Sequence, residues 1–163
     1  MPQIKYPQGP TEDLSPMMTV VFQYFAEEDW PAEKLEGDDL VRAAFEGENG
    51  QWACFVQVDE SESYCLFYSV APLEVPVAKR PAMAEFIARA NYNIPIGGFE
   101  LDFDDGEVRF KTSIDVTDDR LSVSLFRSLA INNLAMMDQF LPSLKAVIES
   151  DRSATDILMQ LED

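Results

Sequence analysis

Apolar and polar positions change their period along the chain, and the changes mark its elements. Met18, Val21, Phe22 and Phe25 recur at helical spacing and predict a helix from Ser15 or Pro16 to Glu28. Ser15 can cap it, and Pro16 at the first helical position lacks only an amide hydrogen that would be unpaired anyway. The acids Glu27, Glu28 and Asp29 sit at the end where the helix dipole disfavours them, so the helix stops before Trp30-Pro31. From Leu40 to Glu46 the pattern alternates, with Val41, Ala43 and Phe45 on one face and Arg42 and Glu46 on the other. Read as a two-residue turn, Asn49-Gly50 sets Phe45 opposite Cys54, Ala43 opposite Val56 and Val41 opposite Val58. After the polar loop Asp59 to Ser63, Tyr64 to Val70 (YCLFYSV) reads as a third strand, apolar on both faces.

Pro72 and Pro76 break the pattern, and a second helix follows from about Arg80 to Asn91, burying Met83, Phe86, Ile87 and Ala90. Gly98 to Asp115 (GFELDFDDGEVRFKTSID) then reads as a hairpin turning at Asp105-Gly106. Phe103 faces Val108, Leu101 faces Phe110 and Phe99 faces Thr112, while Asp102 meets Arg109 and Glu100 meets Lys111 on the other side. A one-residue shift would spoil both faces. Burying each Phe, Leu or Val contributes roughly 1.5–3 kcal/mol against ~0.2–1 kcal/mol for each charge pair, so the apolar face decides.

A long helix begins at the cap Ser122. Leu125, Leu129, Met136, Phe140 and Val147 make one ridge; Phe126, Ala130, Met137, Leu141, Leu144 and Ile148 make a second. Pro142 is expected to kink or split it. The order is helix, three strands, helix, two strands, helix: one α+β domain with a five-stranded antiparallel sheet covered by helices. Residues 1–14 read as an arm, 15–150 as the domain, and 151–163 as a tail or short helix.

Charge narrows the function. The net charge is −18, which argues against nucleic acid and anionic membranes, because phosphate binding needs a basic stripe. No apolar run reaches the ~20 residues of a membrane helix, and MPQIKYPQGP has no export pattern, so a cytoplasmic protein is expected. Histidine is absent, which removes the Ser-His-Asp, Cys-His and HExxH arrangements. Cys54 and Cys65 lack metal or redox spacing and read as core thiols. Glu100, Asp102, Asp104, Asp105 and Glu107 do not fit a calcium loop, whose glycine would fall on Asp105 and whose twelfth residue on Lys111. No catalytic residue, metal ligand or cofactor site is expected. Paired carboxylates could serve an enzyme, yet no pair is marked by its local setting.

The candidate binding residues are aromatic. Phe55, Tyr64, Phe67 and Tyr68 crowd two neighbouring strands, and helices on one side of a sheet cannot hide both faces. Ala53, Phe55 and one alternation of the third strand are expected to form an apolar surface for a protein partner, either a client or the second copy of a homodimer. Asn132 and Asn133 interrupt the ridges of the long helix. They read either as a polar pair bonded to backbone or as a register-fixing contact across a homodimer. Asp138 is expected to meet an arginine such as Arg127 or Arg89.

The stretch KRPAMAEFIARANYNIPIGGFELDFDDGEVRFKTSID, with FYSVAPLEVP before it and NNLAMMDQFLP after it, resembles the YbjN family, especially its cyanobacterial members, over roughly residues 15–150. That family comprises bacterial sensory-transduction regulators similar in fold to type III secretion chaperones, which are small, acidic, cytosolic homodimers that hold extended client segments. The resemblance implies a non-enzymatic, regulatory, protein-binding role. The alternative is a small-ligand sensor, with Met136 and Met137 lining an apolar pocket between sheet and long helix.

Overall fold

Ser15 Oγ accepts the Met18 N–H at 3.4 Å and opens the first helix, α1 (Pro16–Glu27). Its acidic end is compensated from elsewhere in the chain: Arg127 reaches Glu27 at 3.0 Å and Glu28 at 3.4 Å. The computed structural model describes residues 14–37 and 39–161. The expected arm therefore lies outside the described residues except for Leu14, which packs against the core.

Among the described residues the sheet has six strands rather than five, in the order β1-β2-β3-β4-β6-β5, with antiparallel neighbours throughout. They are β1 (Ala32–Lys34), β2 (Leu40–Glu46), β3 (Gln51–Asp59), β4 (Tyr64–Glu74), β5 (Gly98–Leu101) and β6 (Glu107–Asp115). The unforeseen strand, β1, is three residues long and pairs Glu33 with Arg42. The Trp30 indole continues that edge by donating to the Ala44 carbonyl at 2.8 Å.

Both hairpins sit two residues away from the expected register. Phe45 pairs with Trp52 and Ala43 with Cys54, around a four-residue loop in which the Gly47 N–H donates to the Gly50 carbonyl. Leu101 pairs with Val108, Phe99 with Phe110 and Glu100 with Arg109. Phe103 is consequently expelled into the turn, 56% exposed. Tertiary contacts select this loop: Arg80 donates to the Phe103 carbonyl at 2.7 Å, and the Val75 N–H donates to the Gly106 carbonyl at 2.9 Å. Gly106 has φ +82°, and a Cβ there would collide with the Val75 backbone. A two-residue shift leaves each side chain on its original face.

Helices α1, α2 (Arg80–Asn93) and α3 (Val123–Glu149) lie against the inner face of the sheet. α2 follows a short 3-10 turn, and α3 starts at Ser122, whose hydroxyl accepts the Leu125 N–H at 3.1 Å. Two aromatic clusters hold α3 to the sheet. Phe126 packs on Tyr24, Phe25 and Phe67 near one end, and Phe140 on Phe86 and Phe99 near the other. Pro142 does not split α3, which runs through it as one element. The carbonyl that Pro142 cannot serve belongs to Asp138, and Asn49 Nδ2 donates to it at 3.0 Å. A last helix, α4 (Ala154–Met159), is capped by Ser153, packs on α2 and α3, and buries Ile157.

Candidate interaction surface

Alternation along the central strands sorts the aromatic residues. Phe55 pairs with Tyr68, Ala53 with Val70 and Gln57 with Leu66, all on the outer face and all but Gln57 half-buried. Tyr64 pairs with Asp59 at one end of the same face. Phe67 has the opposite parity: it is 0% exposed, against Phe126 and Trp30. It therefore belongs to the core and not to the expected surface.

Ion pairs bound this apolar band on both sides. At the β1–β2 side Arg42 meets Glu33 at 2.9 Å. At the β5–β6 side Glu100 takes Arg109 at 2.6 Å and Lys111 at 2.5 Å, and the Arg109 guanidinium also lies 4.3 Å from the Tyr68 ring centre. Partial burial would raise the Glu100 pKa, but the two cations outweigh it and hold the carboxyl below its ordinary range. An apolar centre with a charged rim is the anatomy of a protein–protein contact.

Burial pushes the Cys54 and Cys65 thiols up to about 12. Among the described residues no group of three Asp, Glu or Cys side chains is placed to hold a metal, and no helix is long and apolar enough to cross a membrane.

Residues 18–146 match the model of the YbjN family, described as "Putative bacterial sensory transduction regulator". The chain belongs to the YbjN family. No curated protein matches it in sequence. Among solved structures, YbjN from E. coli superposes with a TM-score of 0.59 at 10% identity, over 79% of this chain and 89% of that one. The ExsC–ExsE complex gives 0.59 at 14% identity, over 78% and 92%. The HopA1–SchA chaperone–effector complex gives 0.56 at 15% identity, over 77% and 93%. At these identities the likeness is one of fold: a single α+β domain like that of effector-binding chaperones.

In this YbjN-family chain the two asparagines part company. Asn132 donates to its own helix, to the Ser128 carbonyl at 2.8 Å. Asn133 is fully buried, and its Nδ2 donates to the Phe67 and Phe110 carbonyls at 2.8 and 3.0 Å, joining α3 to β4 and β6. Asn133 is thus placed inside its own chain, with Nδ2 committed to the sheet and Oδ1 without a hydrogen-bond partner among the described residues. Among the described residues Asp138 meets neither Arg127 nor Arg89, which pair with Glu27 and Glu28 and with Glu85. The Asp138 carboxylate accepts the Glu48 and Asn49 N–H groups at 3.1 and 2.8 Å and fixes the β2–β3 loop on α3. Met137 is 0% exposed in the core and Met136 packs partly against it.

Sequence reasoning singled out neither Leu66 and Val70 on the outer face nor a second apolar region beside the β2–β3 loop, where Trp30, Phe45 and Ile131 come together. One signal was present: Ile131 lies on neither apolar ridge of α3, and it is 55% exposed.

Proposed function

We propose that the chain is a non-enzymatic, regulatory polypeptide-binding module that receives a segment of its partner on the outer sheet face around Phe55, Leu66 and Tyr68. The asymmetry of the sheet carries this reading. Inner positions such as Cys54, Val56, Phe67 and Phe110 are closed off by the helices, at 0–1% exposure. On β3 and β4 the outer residues Ala53, Phe55, Leu66, Tyr68 and Val70 also carry largely apolar side chains but are only half-covered, where an antiparallel sheet facing water is normally polar. The fold similarity to the ExsC–ExsE complex and to the HopA1–SchA chaperone–effector complex supports the same reading.

Phe55→Asp tests it. Native mass spectrometry of the full chain from its source cells should show a retained polypeptide in the wild type and none in the variant, with the fold intact by circular dichroism. A bound small molecule in place of a polypeptide, or equal retention by the variant, contradicts the proposal.

A further inference from the structure

A groove distinct from the outer sheet face runs between the end of α1, the β2–β3 loop and the middle of α3, with a volume of about 750 Å³. Trp30, Phe45 and Leu134 line it, and Ile131 projects at its edge, 55% exposed. Its walls are set by the chain itself. Asp138 draws the loop onto α3, and Gly47 is needed there because a Cβ would collide with the Asp138 carboxylate.

The groove's charge has one sign. Glu28, Glu46, Glu48 and Asp138 line it, and among the described residues no lysine or arginine does. Glu28 is engaged by Arg127, and the Asp138 carboxylate is occupied by the loop N–H groups. Among the described residues, Glu46 and Glu48 have no ion-pair partner. An apolar trough beside uncompensated carboxylates disfavours an acidic occupant and favours cations next to a bulky apolar side chain.

We infer that this groove seats a segment of a partner polypeptide in which one or two bulky apolar side chains are flanked by lysine or arginine. The inference rests on the polypeptide-binding reading and adds both a second seat and the chemistry of what fills it.

Fluorescence anisotropy of two labelled peptides, KKLFLKKGS and EELFLEEGS, against the full chain tests it. The cationic peptide should bind at least tenfold more tightly, and more weakly as salt rises. Glu46→Lys combined with Glu48→Lys should lower its affinity at least tenfold. The same charge change at the exposed Glu62 and Glu149 should lower it less than threefold. Ile131→Asp adds a negative charge that would strengthen indiscriminate attraction, so a loss of binding in that variant locates the apolar seat. Equal binding of the two peptides, equal loss from the two lysine pairs, unchanged binding by Ile131→Asp, or no binding of the cationic peptide overturns the groove. So does a doubled mass showing a second copy as occupant. Phe55→Asp should leave peptide binding unchanged; if it alone abolishes binding, the groove is excluded while the sheet-face reading stands. Conversely, if native mass spectrometry finds no retained polypeptide while the cationic peptide binds in the groove as described, the sheet-face reading fails and the groove stands.

Discussion

The side-chain amide of Asn49 donates to the main-chain carbonyl of Asp138 at 3.0 Å, four residues before Pro142. In an uninterrupted helix the residue at position 142 would make that bond. Proline cannot, and a loop residue supplies it from outside. One asparagine thus completes α3 and ties the β2–β3 loop to it. Asn49→Ala should cost about 0.5–1.5 kcal/mol, and much less in a Pro142→Ala background, where the helix supplies its own donor. A double-mutant cycle in urea measures the coupling; additive effects would contradict the arrangement.

Asn91 plays a comparable part at the far edge of the sheet. Its Oδ1 accepts the Phe99 N–H at 2.8 Å and its Nδ2 donates to the Phe99 carbonyl at 2.9 Å, so a side chain pairs with β5 where another strand could. Asn91→Ala should destabilise the chain by about 1–3 kcal/mol and favour self-association through the opened edge. Chemical denaturation and sedimentation velocity check the two effects; a fully stable, monodisperse variant would contradict this role.

The two hairpins show what alternation determines and what it leaves open. Period two assigns each side chain to a face, and those assignments hold even where the register is two residues off, as with Phe99 and Val108. The sliding itself is decided by tertiary contacts remote in sequence: Asp138 for one loop, Arg80 for the other. Strand β1 was illegible because Ala-Glu-Lys has no apolar alternation and is held by its neighbour β2. The stretch YCLFYSV is apolar at nearly every position, so its pattern could not say whether Phe67 or Tyr68 faces inward. The groove has no signature in the pattern because it joins Trp30 from the α1–β1 connection, Phe45 from β2 and Ile131 from α3, with no common period.

Glu100 gives a pH dependence with a definite sign. Its carboxyl is held below the ordinary range in the folded chain by Lys111 and Arg109, against the opposing effect of burial. The unfolded chain therefore takes up this proton first as pH falls. The stabilisation is fully present above about pH 4.3, the unfolded value, and is lost on descending through the lower folded value. Glu100→Gln should make the fall of stability below about pH 4.3 shallower. An unchanged slope in denaturation curves across that window would show that the two cations contribute nothing net.

Cys54 and Cys65 are both 0% exposed, with thiols pushed up to about 12 by burial. A thiol reagent at neutral pH should leave both unmodified in the folded chain and modify both on unfolding. Rapid reaction of either in the native state would contradict the packing of β3 and β4.

The most direct test of the outer sheet face is a photo-crosslinking amino acid placed at Leu66 in the full chain, expressed in the source cells, with the same group at exposed Gln139 on α3 as control. The account predicts a defined polypeptide adduct from position 66 and none of that mass from position 139. The same adducts from both positions, or no polypeptide adduct from position 66, would contradict it.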